Sequence, residues 1–365
     1  MRFSLTFSLY VVRNLLINLL YIFLIFAFIS FIIDFLELIR DSQGKKVLFS
    51  QMLQIVFYKV PFITYSFLPF VFLFGAILTF TKLNNNFELA AAKSAGISIW
   101  SLCIPITATI IIVSLLMLWV FQPISAIFLD NNRILVAKYL GHNARRVSLQ
   151  ANGIWLYDQT NNPEDDKIMT IKHVEKLGKS LSDVIVYNAG SNNDFSTSYF
   201  ADTASIENGY LLMNKVKKYV PGKEAEHYES IKLPTNLSED QIQESIPHPE
   251  IIQFWDLNNF IKKIKQSGFS TLKHELYYQS MLASPLLYIS LVLIALSCSI
   301  NLPRNGKLGV VFIVGAVLGI LIFFVNKMVN VMALTGTLPM GLAVIAPSLS
   351  YLLLSFSALI HCEEG

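Results

Sequence analysis

The residues best placed to act on another molecule lie in one short stretch, Lys82–Gly96 (KLNNNFELAAAKSAG), between two apolar segments. Asn86 suits an N-cap, because its side-chain oxygen can accept a free N–H of a helix's first turn. Glu88 falls in that first turn, where the helix dipole favours an anion, and Lys93 near the end, where it favours a cation. Gly96 can close the helix, and Ala90, Ala91 and Ala92 offer a smooth surface for close packing. An ordinary interfacial connector is one reading. The sharper reading is a coupling helix, about residues 85–96, that docks in a cytosolic ATPase.

Catalytic patterns are missing elsewhere. Asn305–Lys307 (NGK) lacks the glycine framework of a phosphate-binding loop, and His274-Glu275 has no second histidine four residues after the first. No GxSxG nucleophile turn occurs. The acidic pairs Asp165-Asp166 and Glu239-Asp240 read as solvated turns. No Cys/His spacing suggests zinc or another metal, and no cofactor is implied. The chain is not expected to be an enzyme.

The elements that must position the stretch follow from composition. The chain has 365 residues, 54% hydrophobic and only 15% charged, against about 25% charged in soluble domains. Of its 53 charged residues, 36 lie between Pro123 and Glu275. Two solvents are implied: lipid for the two ends of the chain, water for the middle. A net charge of +3 spread this way is no nucleic-acid footprint. Cys103, Cys298 and Cys362 lie in or beside apolar segments, so the polar middle must be held without disulfides.

A membrane span needs about 20 apolar residues. Such runs occur at Asn14–Ile33, Val60–Thr81, Ile97–Phe121, Leu276–Ile300, Leu308–Asn326 and Pro339–Ile360. The first is too long for a signal-peptide core and is read as retained. The expected organisation is a three-helix half at 1–125, a polar domain at 126–275 and a second three-helix half at 276–365. Arg2, Arg13, Lys82, Lys93, Arg304 and Lys307 all fall on one side, assigned to the cytoplasm. Both termini are then inside and the polar domain outside. Arg40, Lys45, Lys46 and Lys59 lie in or beside the loop after span one, and Arg133 just beyond span three.

The polar domain reads as β. Val147–Tyr157, Ile168–Val174, Asp183–Tyr187 and Gly209–Tyr219 are short runs rich in β-branched and aromatic residues, separated by Asn/Gly/Pro/Asp clusters. Ile154 and Leu156, Ile168 and Ile171, Val184 and Val186 alternate with polar residues, as for a sheet with one buried face. The expected fold is six transmembrane helices (3+3) with an inserted all-β, jelly-roll-like domain. A helical segment is expected at Leu257–Lys265, ended by Gly268.

Several motifs carry a resemblance across nearly the whole chain. They are Asp34–Arg40 (DFLELIR), Phe87–Ser98 (FELAAAKSAGIS), Tyr199–Tyr210 (YFADTASIENGY), Leu233–Leu237 (LPTNL), Phe254–Ser270 (FWDLNNFIKKIKQSGFS) and Leu359–Gly365 (LIHCEEG). The chain resembles the lipopolysaccharide export permease family LptF/LptG (YjgP/YjgQ type), and more its LptG branch. It departs from the family at Tyr210, more often Trp, and at Leu302–Arg304, which has lost an arginine. The resemblance implies an inner-membrane half-transporter with a periplasmic jelly roll. It implies pairing with a paralogous LptF-type permease, a cytosolic LptB-type ATPase dimer and a membrane-anchored LptC-type protein. Lipopolysaccharide would leave the outer leaflet of the inner membrane for a periplasmic bridge toward the outer membrane.

Under this resemblance the ATPase-coupling residues are Phe87, Glu88, Leu89, Ala92, Lys93 and Gly96. Arg40, Lys45, Lys46, Lys59 and Arg133 become candidate contacts for the anionic head group; simple snorkelling to water is the other reading. Each acyl CH₂ exposed to water costs about 0.8 kcal/mol, so extraction needs a motor and a covered route. The rival reading is an ion-coupled transporter of lipids or solutes. Such proteins carry ionisable groups at mid-membrane, whereas Lys327 lies near one end of its span.

Overall fold

The computed structural model describes residues 5–43, 47–140, 148–150, 153–158, 167–175, 180–189, 195–207, 209–222, 224–235, 246–267, 269–301 and 308–364. Helices α1 (Leu5–Asp41), α2 (Phe49–Ser66), α3 (Leu68–Asn85), α4 (Glu88–Ser94) and α5 (Ile99–Leu116) open the chain. A π-helical turn, Met117–Phe121, leads directly into α6 (Gln122–Leu140). Strands β1 (Ser148–Gln150), β2 (Gly153–Asp158), β3 (Lys167–Glu175), β4 (Ser180–Ala189), β5 (Phe195–Glu207), β6 (Tyr210–Tyr219) and β7 (Glu226–Pro234) follow. Last come α7 (Phe254–Gln266), α8 (Leu272–Asn301), α9 (Leu308–Leu334) and α10 (Met340–Glu364).

The chain divides into two units. One holds Met1–Leu140, Gln253–Trp255 and Glu275–Gly365; the other holds Gly141–Ile252 and Asp256–His274. In the first, the described residues include six segments long and apolar enough to cross a membrane. They are Thr6–Asp41, Leu68–Asn85, Ile99–Leu140, Leu272–Ile300, Phe312–Leu334 and Met340–His361. Three precede the sheet and three follow it, as expected from the apolar runs.

Two spans differ from expectation in shape. The run Val60–Thr81 is not one helix, because α2 ends at Ser66 and α3 starts at Leu68. The cause is Pro69, which has no N–H and collides with a continuing helix, but fits a first turn. The third span runs on past its apolar part. Ile99–Leu140 has 42 residues, about 63 Å of helix, roughly twice the hydrocarbon core.

The first unit packs around α3, whose Phe72, Leu73, Ala76, Ile77 and Phe80 are all buried. Close approach relies on glycine. A Cβ on Gly75 would lie 2.7 Å from Leu19 Cδ2 and 3.1 Å from the Leu19 Cα, and one on Gly319 would lie 3.0 Å from Leu73 Cδ2. Lipid offers no hydrophobic drive between helices, so small residues and buried polar bonds hold them. Asn18 Nδ2 donates to Thr79 Oγ1 at 2.9 Å, and Asn84 Nδ2 to the Ser299 carbonyl at 2.9 Å. Phe72 stacks on Tyr288 with centroids 4.4 Å apart.

The second unit carries one antiparallel sheet in the order β1 to β7. Each described strand pairs with its sequence neighbour, an up-and-down path through the inserted β-domain. The linking segments are short enough for hairpins, so adjacent strands close first. The run Val147–Tyr157 is split, β1 pairing back on β2 with Leu149 opposite Ile154. The side chains of Ile154, Leu156, Ile168 and Ile171 lie outside the described residues. Val184 and Val186 do face inward, in a core with Leu181, Met213, Ile264 and Phe269.

A crease crosses this sheet. Leu181 and Val184, Ala201 and Ala204, Met213 and Val216 are buried at a spacing of three, not two. Register pairs Ser182 with Thr203 and Thr203 with Asn214, then Val184 with Ala201 and Ala201 with Val216. Asp183, Asp202 and Lys215 therefore lie in line between them. Asp183 and Lys215 both take φ +52, a left-handed step that swaps sheet faces at some steric cost. On β6 and β7, Lys218 lies 3.4 Å from Glu226. That carboxylate raises the Lys218 pKa, and by accepting a hydrogen bond from Tyr228 it raises that phenol too.

Candidate functional site

The stretch between α3 and α5 folds as a short exposed helix, but its start differs from expectation. Helix α4 begins at Glu88, and the N-cap position belongs to Phe87 in the left-handed region, φ +61. Asn86 does not cap. Its Nδ2 donates instead to Glu88 Oε1 at 3.1 Å. Asn86 still closes α3, its N–H reaching the Lys82 carbonyl at 3.1 Å. Two helices therefore meet at Asn86-Phe87 without a spare residue for an ordinary cap.

The far end of α4 closes as its glycine suggested. Gly96 takes φ +81, and its N–H reaches the Lys93 carbonyl while that of Ile97 reaches Ala92, each at 3.0 Å. This pair of bonds is a Schellman close. Leu89 packs against the main helical core, and Ala92 is buried. Those two anchor the helix from below; they are not on its outer surface. Phe87, Ala91, Lys93 and Gly96 are exposed, and Glu88 is half-buried.

Glu88 is held from a second direction. Tyr10 of α1 donates its hydroxyl to Glu88 Oε1 at 3.3 Å. Between them lies a recess of about 380 Å³ lined by Phe7, Tyr10, Glu88, Ala91, Ala92 and Ile97. Neither Tyr10 nor the recess was visible in the sequence, since 78 residues separate Tyr10 from Glu88.

The basic residues at the other end of α1 are not all alike. Lys45 and Lys46 lie outside the described residues. Arg40 is exposed and 3.6 Å from Asp41, and Arg133 of α6 is half-buried. Lys59 of α2 is engaged: its Nζ lies 2.8 Å from Asp34 Oδ1 and 3.5 Å from Glu37 Oε2. Asp34, which opens the Asp34–Arg40 motif but carries no site role in the sequence reading, is 5% exposed. Asn132 of α6 donates to the Ile55 carbonyl at 2.7 Å, so α1, α2 and α6 are joined here by polar bonds. Lys327 of α9 is exposed, its Nζ 5.6 Å from the Phe323 ring centroid.

Among the described residues no group of three or more His, Cys, Asp or Glu could hold a metal. The second unit has an open depression of about 560 Å³ at the crease, lined in part by Asp183, Phe200, Asp202, Lys215, Lys217 and Tyr219.

Six apolar helical segments, an inserted antiparallel sheet and a short exposed helix between two spans define a multi-pass membrane protein with one extramembrane domain. The comparison with known families names its kind. Residues 9–361 match the model for the lipopolysaccharide export system permease LptF/LptG, so the chain belongs to that family of transport permeases. Curated relatives include the lipopolysaccharide export system permease protein LptG of Escherichia coli strain K12, 22% identical over 306 residues, which cover 81% of each chain. The same figures hold for LptG of Escherichia coli O6:H1.

Proposed function

We propose that this chain is the LptG-type permease of a lipopolysaccharide exporter, driven by a separate cytosolic ATPase. The family match over residues 9–361 carries this reading. The absence of a phosphate-binding loop in the sequence fits a motor on another chain. In this reading the protein lies in the inner membrane of a Gram-negative cell, both termini cytoplasmic and residues 126–275 periplasmic. The halves 1–125 and 276–365 flank a cavity closed by a paralogous LptF-type permease, with an LptC-type protein alongside.

Helix α4 is then the docking element. Phe87, Glu88, Lys93 and Gly96 meet an LptB-type ATPase dimer, while Leu89 and Ala92 transmit its movement into the core they pack against. The carboxylate of Glu88 takes a basic or hydrogen-bonding group of the ATPase. Arg40, Lys45, Lys46, Lys59 and Arg133 supply charge for the lipid phosphates at the opposite end. ATP-driven closure lowers the affinity of the cavity for its lipid, which moves onto the β-domain and the bridge.

Co-purification and reconstitution test this together. Mild detergent should recover one cytosolic ATPase and a second six-span permease, and proteoliposomes of that assembly should release lipopolysaccharide only with ATP. Transport driven by a proton gradient alone would overturn the proposal in favour of an ion-coupled carrier.

A further inference from the structure

Along α1, the buried stripe changes character. Val11, Leu15, Leu19 and Ile22 are apolar, but further on the buried positions are Ser30, Asp34, Leu38 and Ser42. Ser30 and Asp34 are one turn apart and share a face, with Cβ atoms roughly 6 Å apart. Ser42 satisfies itself by donating to the Ile39 carbonyl at 3.0 Å. Ser30 and Asp34 are different. Asp34 uses Oδ1 for Lys59, while Asp34 Oδ2 and Ser30 Oγ are both buried without a hydrogen-bond partner. The Ser30 hydroxyl can donate once, but its own lone pairs and those of Asp34 Oδ2 still leave room for an outside donor.

The neighbours say which donor. Lys59 is already shared between Asp34 and Glu37, so it does not serve the second oxygen. Ca²⁺ and Mg²⁺ need about six or more oxygens, and no group of three metal-ligating side chains occurs among the described residues. An ammonium needs only a few acceptors, and its charge matches the carboxylate. The two oxygens are covered, but the Lys59 side chain bonded to Asp34 Oδ1 is 36% exposed, so an incoming group reaches them by displacing it.

We infer that Ser30 and Asp34 form an acceptor subsite for an ammonium carried on the lipid's phosphate, with Lys59 taking the phosphate itself. This deepens the permease reading and rests on it. An arriving phosphate draws Lys59 outward, the ammonium replaces it at Asp34, and no buried charge is left unmatched. The head group selected is zwitterionic, an aminoalkyl phosphate, where a purely cationic mouth would prefer a bare phosphate.

The test uses the purified full chain in nanodiscs and two defined probes, bis-phosphorylated lipid A and the same lipid with a 2-aminoethyl group on one phosphate. Binding is read by native mass spectrometry in direct competition. The aminoethyl lipid should bind about tenfold tighter to the native chain. Asp34→Asn should level the two, and Ser30→Ala should cut the preference about threefold. Thermal unfolding checks that each variant is folded, and Ser30→Ala keeps the inference open to refutation if Asp34→Asn is not. Equal affinities in the native chain, or a preference that survives both substitutions, would overturn the inference and leave the permease reading intact. Binding of neither lipid would overturn both.

Discussion

Tyr10 and Glu88 are joined by a hydrogen bond of 3.3 Å that ties the first turns of α1 to the first residue of α4. Asn86 donates to the same oxygen from the other side. The carboxylate is thus oriented by two neutral donors, and no described cation lies within ion-pair distance of it. No described group neutralises its charge. Whatever pulls on Glu88 pulls on α1 as well, and α1 is packed against α3 along its length through Leu15 and Leu19.

Reversing that charge is the most direct test of docking. Glu88→Lys places an ammonium among the groups that donated to the carboxylate and turns attraction to a basic partner into repulsion. Loss of one member of a buried charged contact costs about 2–5 kcal/mol, so capture of the ATPase should fall at least about thirtyfold. Glu88→Gln keeps an acceptor for Tyr10 and should fall less. Pull-down with the tagged ATPase reads the difference, and full capture by Glu88→Lys would remove Glu88 from the interface.

The glycine contacts predict a contrast between two identical substitutions. Gly75→Ala puts a methyl 3.1 Å from the Leu19 backbone, so α1 must move off α3; overpacking of this kind costs about 1–3 kcal/mol. Gly341→Ala, in α10, meets nothing within 4 Å and should gain about 0.5–1 kcal/mol from helix propensity. Thermal unfolding in detergent should drop by several degrees for the first and rise slightly for the second.

Gln122 follows the π-helical turn and is fully buried, accepting the N–H of Phe254 through Oε1 at 2.8 Å. That N–H is among the unpaired donors at the start of α7. Aromatic contacts support the join: Trp119 lies 5.2 Å from Trp255 and Phe254 lies 5.6 Å from Tyr278, between ring centroids. Gln122→Leu keeps the volume but strands a buried donor, at about 1–3 kcal/mol. Thermal unfolding should show that loss, whereas Gln122→Glu keeps an acceptor and should retain more stability.

What was legible in the sequence follows from the range of each signal. Six spans could be counted because a bilayer demands some twenty uncharged residues in a row, a signal that needs no partner. The break at Phe67 was also written locally, in Pro69, but the apolar run across it reads as continuous. Strand β5 was missed because its inward residues, Ala201 and Ala204, are small and lie three apart across the crease, which erases the alternation. Strand β7 hides for another reason: it is largely exposed and so has no apolar stripe to read. Glu88 stood out from its place in a short helix. Asp34 did not, because its importance comes from Lys59, 25 residues away.

Photocrosslinkers at the basic positions separate lipid contact from snorkelling. Placed at Arg40, Lys45, Lys46, Lys59 and Arg133 in turn, they should label lipopolysaccharide at several sites, Lys59 among them. Arg40 is well exposed, and a surface charge of that kind contributes under about 1 kcal/mol to any single pairing. Its replacement by Gln should therefore change export little, whereas Lys59→Gln should lower it several-fold. Labelling at none of the five, with export intact, would remove them from the lipid's path.

The β-domain can be tested by excision. The inward residues Val184 and Val186 are fully buried with Ile264 and Phe269, so they form a closed core and are not free to line a lipid groove. The open crease exposes Phe200 and Tyr219, in edge contact at 5.2 Å, among Asp183, Asp202, Lys215 and Lys217. Removing Val147–Glu244 would strip the cover from Ile246, Ile264 and Phe269, so the deletion should carry Ile264→Ser and Phe269→Ser to prevent aggregation. The helical unit has its own core, and the shortened chain should still assemble with the ATPase and hydrolyse ATP. Delivery of lipid to the bridge should stop. A narrower variant, Phe200→Asp with Tyr219→Asp, leaves the closed core intact and should slow delivery without reducing assembly. Normal export from the deletion would show that the lipid does not travel over this sheet.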